Sequence, residues 1–406
     1  MGKEIKLILV SVDNNNKYYW MSENSNGTFT ATYGRVEKTK MTTEYPMNKW
    51  DTTYRSKTKK GYKDVTSLYI EEAEANPNSS ISEIQNRVIK RLIDELQAFA
   101  NNSIVENYSV SSQKVTQAMI DAAQSIVEDI KKSIIIGATK DDLNKKLLDL
   151  YQVIPRQMSK VQNHLFTNDI YIQSDVDLAG VKIKEEQDLL DVMAGQVIIN
   201  KASSVQNISK QDKNILEILG IEVDEADTSE ISMLKDMMGS SKDKLKKVFR
   251  ANNLETRSKF EKYLSTDKNS KVQLFFHGSR NQNWLNIIKT GLLIRPSGAI
   301  HTGSMFGDGI YFANKAQKSI GYTSLKGSYW TSGGDNKGFL AVYEVNVGKQ
   351  KNIKKHDSSC YSLCKNILNR EGYNSVYAHG GADLRNDEFI IYESERCTIK
   401  YLIEIG

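Results

Sequence analysis

The chain has 406 residues, 39% hydrophobic and 26% charged, room for roughly two to four domains of about 100–200 residues each. This balance excludes a wholly disordered or collagen-like chain. No apolar run approaches the roughly 20 residues of a membrane-spanning helix, and three cysteines make no disulfide framework. With no secretory leader in MGKEIKLILV, the expectation is a reduced, intracellular protein without a membrane partner, nuclear if eukaryotic and cytoplasmic if bacterial or phage-encoded. Residues 1–68 carry 12 basic and 7 acidic side chains, and the remainder carries 43 of each. The whole excess of positive charge sits in the first sixth, which points to a polyanion as its partner.

In chain order, β-branched Ile5–Val12, then Tyr18–Met21 and Thr28–Arg35, read as strands separated by the turn signals Asp13–Asn16 and Asn24–Gly27. A polar stretch and the basic run Arg55–Lys63 complete a small β-rich domain over 1–68. After Asn76–Ser80 the apolar period becomes helical. Ile84, Val88, Leu92, Leu96 and Phe99 form one stripe, and Val115, Met119, Ala122 and Ile126 a second. Ser80 with Glu83, and Thr139 with Asp142, read as helix starts, and Pro155 ends the second of these helices near Ile154. Further helices are expected over Glu185–Ile198 and near Ser229–Met238, so 69–240 reads as a helical bundle. From 241 to 406 strands return at Val272–His277, Gly309–Phe312, Phe339–Val347, Ser375–Tyr377, Glu388–Tyr392 and Ile399–Ile405, with helices over Asn283–Thr290 and Ala316–Tyr322. The fold class is multidomain α+β.

Chemistry concentrates in the last 140 residues. His277-Gly-Ser-Arg280 ends a strand. Phe306-Gly-Asp-Gly-Ile-Tyr-Phe-Ala313 follows a glycine-rich loop, Lys318-Ser319 precedes Tyr322, and Glu388 opens a late strand. Taken singly, each is more often structural than functional. In this order and spacing they resemble the His-Tyr-Glu catalytic domain of the poly(ADP-ribose) polymerases, diphtheria-toxin-like and mainly β. That resemblance implies NAD+ as substrate and no metal. It assigns Gly278 and Ser319 to the nicotinamide carboxamide, Tyr311 and Tyr322 to a sandwich around the ring, His277 to a ribose hydroxyl, and Ser279 and Asn283 to the adenosine half. Glu388 falls at the carboxylate that steadies the ribose as oxocarbenium character develops during glycosidic cleavage. Lys318, a basic residue beside the pocket, is divided evenly between acceptor contact and solvation. Leu293 stands where DNA-dependent members carry an arginine, with Arg295 two residues on.

Tyr33-Gly-Arg-Val36 resembles the signature of a WGR domain, with Tyr in place of Trp. The resemblance implies that Tyr33 stacks on a DNA end, and that Arg35, Lys57, Lys59, Lys60 and Lys63 contact phosphate. Residues 69–240 resemble the helical regulatory domain of DNA-dependent members, its best match at Leu148–Pro155. The implied function is a DNA-break-activated poly(ADP-ribose) polymerase, its acceptors protein or nucleic acid, itself among them. The helical domain would inhibit the NAD site until the basic domain engages a DNA end. The alternatives are a mono-ADP-ribosyltransferase and a catalytically silent DNA-end-binding scaffold. His356, Cys360 and Cys364 could share a helix face, too few ligands for structural zinc.

Overall fold

The computed structural model describes residues 2–36, 38, 40–69, 82–110, 114–204, 213–294 and 305–406. It divides into two compact units, Met1–Glu74 with Asn102–Val197, and Ala75–Asn101 with Ile198–Gly406. The expected cap Ser80, the turn Asn76–Ser80 and Arg295 lie outside the described residues.

The first unit opens with strands β1 (Glu4–Ser11), β2 (Asn15–Glu23), β3 (Thr28–Arg35) and β4 (Met41–Pro46), then helix α1 (Trp50–Lys59) and the short β5 (Lys63–Asp64). The sheet order is β4-β3-β2-β1-β5, antiparallel throughout. Alternation along the strands puts Leu7, Tyr19, Met21, Phe29 and Ala31 on one face, where Trp50 of α1 covers them. The basic run is therefore carried mostly on a helix that the sequence reading left undefined.

Helix α2 (Arg87–Asn107) begins later than the Ser80 reading, with Asn86 Oδ1 accepting from the N–H groups of Val88 and Ile89 at 2.9 and 3.3 Å. Helix α3 (Gln117–Ile135) is capped by Thr116, which the sequence reading did not name, and α4 (Lys140–Val153) by Thr139, as expected. The last helix of this run, α5 (Gln173–Ser204), is longer than the expected Glu185–Ile198. Within the first unit the small sheet is hydrogen-bonded to helical residues: Asn16 Nδ2 donates to the Arg156 carbonyl at 3.1 Å and Gln152 Nε2 to that of Val10 at 3.3 Å. Arg156 itself is buried against Glu186, to which Tyr151 also donates.

The second unit adds α6 (Ile215–Leu219), β6 (Ile221–Glu225), α7 (Thr228–Met238), β7 (Leu245–Asn253), α8 (Leu254–Thr266), β8 (Val272–Gly278), α9 (Trp284–Thr290), β9 (Ile310–Phe312) and α10 (Ala316–Ile320). Then come β10 (Gly338–Asn346), β11 (Gln350–Ile353), α11 (Lys365–Arg370), β12 (Ser375–Ala378), β13 (Glu388–Ile391) and β14 (Cys397–Ile405). They form two sheets, β6-β7-β14-β10-β8 and β11-β12-β13-β9, antiparallel except for the β11–β12 pair. The first of these sheets starts at Ile221, inside the stretch expected to be helical and 20 residues before the expected boundary at 241. Only pairing with β7 reveals so short a strand as sheet. Its core takes Phe249, Phe275, Trp284 and Phe339, and also Ile89, Leu92, Ile93 and Leu96 from the N-terminal half of α2. The 13-residue helix α8 has no counterpart in the sequence reading. His356, Cys360 and Cys364 share no helix face: Cys360 lies in a short 3-10 turn and Cys364 caps α11.

Candidate active site

The two sheets of the second unit meet where β8 meets β9. Phe276 and Ala313 exchange backbone hydrogen bonds of 2.8 and 3.0 Å at that point. Position 277 follows directly, so the His277 ring comes to the junction. Its Nδ1 lies 3.0 Å from the Tyr311 carbonyl. A carbonyl only accepts, so Nδ1 carries the hydrogen. The ring packs edge-on against Phe312 and Tyr343, at centroid distances of 5.8 and 6.1 Å.

Strand β13 pairs with β9 in the register Ile390↔Tyr311 and Phe389↔Phe312. Alternate residues share a face, so Tyr311, Ile390 and Glu388 lie on one side of the sheet. Phe312 and Phe389 point to the other side, where Phe389 stacks on Phe275 at 4.2 Å. The Tyr311 hydroxyl is fixed in place: it accepts from the Phe306 N–H at 3.0 Å and donates to the Gly307 carbonyl at 2.8 Å.

Glu388 is only 9% exposed. Lys318 Nζ donates to its Oε1, which supplies the paired countercharge that a buried carboxylate requires. Lys318, read from the sequence as either an acceptor contact or a solvated residue, is thus a mostly buried partner of Glu388. The backbone N-terminal to Glu388 is anchored through Asp387, which accepts from Gly380 N–H (2.8 Å), Tyr377 Oη (3.1 Å) and Asn314 Nδ2 (3.2 Å). Desolvation opposes ionisation of Asp387, but these hydrogen bonds outweigh it and lower its pKa.

Helix α10 brings Lys318 and Ser319 in together. A Cβ on Gly278 would lie 1.9 Å from the Ser319 carbonyl oxygen, so only glycine lets β8 run this close to α10. Tyr322 follows α10. Burial and then the Glu388 charge push its hydroxyl up to about 12, so it is a neutral phenol throughout the working pH range. Asn283 Nδ2 donates to Ser279 Oγ at 2.9 Å, while the buried Asn283 Oδ1 has no hydrogen-bond partner among the described residues. Among the described residues no group of three or more His, Cys, Asp and Glu could hold a metal ion.

Residues 228–406 match the family profile for the poly(ADP-ribose) polymerase catalytic domain. A putative poly [ADP-ribose] polymerase-like protein 100L of Invertebrate iridescent virus 6 is 34% identical over 184 residues, 45% of this chain and 96% of the viral protein. The chain belongs to the poly(ADP-ribose) polymerase family. As a member it is an NAD+ ADP-ribosyltransferase, with NAD+ as substrate. Uncharacterized protein 101L of the same virus is 34% identical over 215 residues, 52% of this chain and 83% of that protein. Poly [ADP-ribose] polymerase 1 of Gallus gallus is 24% identical over 322 residues, 72% of this chain but 30% of its own length.

The N-terminal candidates are differently placed. Arg35 donates to the Asn14 carbonyl at 2.6 Å and to the Met158 and Ser159 carbonyls at 3.2 Å. Lys57 Nζ sits 3.7 Å from the Tyr19 ring centroid, with Tyr33 and Tyr62 near 6 Å. Burial, helped by the Lys60 charge, lowers its pKa. The Tyr33 ring stacks on Tyr19 at 5.3 Å and its hydroxyl meets Thr43 Oγ1. Lys63 pairs with Asp149, whereas Lys59 and Lys60 are exposed at the end of α1. Nothing in the sequence singled out Asp387 or Trp330. The only local sign for Asp387 was its place beside Glu388, and Trp330 reaches the site through a loop.

Proposed function

We propose that the chain is a DNA-break-activated ADP-ribosyltransferase that cleaves the nicotinamide glycosidic bond of NAD+ and transfers ADP-ribose to protein or nucleic-acid acceptors, itself among them. The observation that carries the catalytic half is the convergence of His277, Tyr311, Ser319 and Glu388 where β8, β9, α10 and β13 meet. His277, its Nδ1 engaged by the Tyr311 carbonyl, meets a ribose hydroxyl of NAD+. Gly278 N–H and the Ser319 hydroxyl hold the carboxamide. Tyr311 and Tyr322 flank the flat ring, and Ser279 and Asn283 take the adenosine half. Glu388 accepts from the ribose hydroxyl next to the breaking bond, and this contact strengthens as positive charge develops. Lys318, paired with that carboxylate, holds it in position until substrate arrives.

The regulatory half rests on the positive charge of residues 1–68 and on the helices that follow. In this reading 1–68 is a WGR-like reader, and the helices between it and the start of the catalytic sheet at Ile221 restrain the transferase. Lys59 and Lys60 supply phosphate contacts directly. Arg35, Lys57 and Lys63 join them only by giving up their internal partners, and that exchange is the means by which DNA loosens the helices. The test is NAD+ turnover by the full chain with no DNA, intact circular duplex, and nicked or blunt-ended duplex. Turnover stimulated at least tenfold by broken DNA and not by circular DNA is the expected result. Equal turnover in all conditions would remove the regulatory half and leave a constitutive transferase.

A further inference from the structure

The loop between Gly321 and β10 is tied down internally. The Ser328 hydroxyl donates to the Ile320 carbonyl at 2.8 Å and meets Thr323 Oγ1 at 3.1 Å. The Lys326 N–H donates to the Asp335 carbonyl at 2.7 Å, and the Asp335 N–H to that of Ser324 at 3.0 Å. Thr323 and Ser328 are buried. At its outer end this rigid loop presents two large aromatics to solvent, Tyr329 at 80% and Trp330 at 63% exposure, packed edge to face at 4.8 Å.

Trp330 is not an idle surface residue. Its backbone N–H donates to the Gly321 carbonyl at 3.0 Å, and a Cβ on Gly321 would stand 3.2 Å from its Cδ1. The indole lies nearly parallel to the Tyr322 ring, 17° between planes and 5.9 Å between centroids. One side of the Tyr322 ring, which is 36% exposed, is thereby stacked on the indole, and a swing toward the loop would displace it.

We propose that Trp330 is a positioning residue for NAD+ binding, which holds the Tyr322 ring in the plane that receives nicotinamide. This rests on the reading of Tyr322 as a wall of the nicotinamide pocket. Trp330 touches no substrate itself. Its effect falls on ring binding, hence on KM and nicotinamide affinity rather than on kcat.

The test uses the full chain and two readouts, calorimetric binding of nicotinamide and steady-state NAD+ kinetics, for Trp330→Ala, Trp330→Phe, Tyr322→Ala and the Tyr322→Ala/Trp330→Ala double variant. Trp330→Ala should weaken nicotinamide and raise the NAD+ KM by about two- to tenfold, the worth of one stacked aromatic pair, with kcat changed less than about twofold. Trp330→Phe should restore both. Tyr322→Ala should weaken nicotinamide more than Trp330→Ala does, and the double variant should match Tyr322→Ala. Wild-type nicotinamide affinity in Trp330→Ala beside a weakened Tyr322→Ala overturns the proposal alone, as does an additive loss in the double variant. Wild-type affinity in Tyr322→Ala overturns the reading of Tyr322 and the proposal with it. Unchanged thermal unfolding of the Trp330 variants separates these outcomes from misfolding.

Discussion

Gly278 is where residue-scale physics is least forgiving. Its backbone carries the edge of β8 past α10, and a methyl group at 1.9 Å from the Ser319 carbonyl cannot be accommodated by a side-chain rotation, because the obstacle is backbone. Gly278→Ala should push α10 away and move Ser319, Lys318 and Tyr322 together. A loss of NAD+ turnover beyond 10²-fold is expected, with nicotinamide affinity falling alongside; retained affinity in calorimetry would show that the strand and helix have slack. Glu388→Gln is the milder chemical change. It preserves shape and removes charge, so NAD+ binding should survive while turnover drops by about 10²–10³, as for loss of one transition-state contact. Wild-type turnover by this variant would end the role given to Glu388.

Among the helices of the first unit, His164 sits half-buried beside Tyr151, which donates to its carbonyl at 3.0 Å. Burial first, then the charges of Arg156 and Lys182, depress its pKa from 6.5 to about 4. The folded form therefore binds fewer protons than the unfolded chain between those values. The stability this provides is present above pH 6.5 and is lost as pH falls toward 4. Solvent reaches part of the ring, so the effect is smaller than the full linkage value. Urea unfolding of the first unit should show a midpoint that drops between pH 7 and pH 5, and His164→Gln should flatten the drop. An identical drop in the variant would place the pH dependence elsewhere. The helices themselves were legible before the structure, since apolar stripes at three- and four-residue spacing and threonine caps are local signals. Helix α8 was not, because it buries only Phe260 and so shows no full stripe.

For the whole molecule, the second unit closes only when distant segments meet. Strand β6 and helices α6 and α7 precede residue 241, and Leu216, Leu219, Ile221 and Val223 join the same core as Phe249 and Phe339. A 241–406 fragment would lack this edge and expose the apolar residues beneath it, so it should be recovered mainly as aggregate. A fragment from 213 should be soluble, yet bind an apolar dye where Ile89, Leu92, Ile93 and Leu96 no longer cover it. Soluble yield of the two fragments checks this, and equal yields would make the N-terminal edge dispensable. Among the described residues no helix is long and apolar enough to cross a membrane. By itself the sequence determined the alternation of the first three strands, the apolar helical stripes and the Thr139 cap, and the ordered set of His277, Tyr311, Ser319 and Glu388, because strand and helix periods, capping and motif order are all written along the chain. Only tertiary structure decided that Lys318 pairs with Glu388, that Arg35 and Lys63 hold internal partners, that the catalytic sheet begins at Ile221, and that Trp330 lies against Tyr322. Each of these depends on groups brought together across 8 to more than 100 positions, and no local signal records which partners the packing of the core will select.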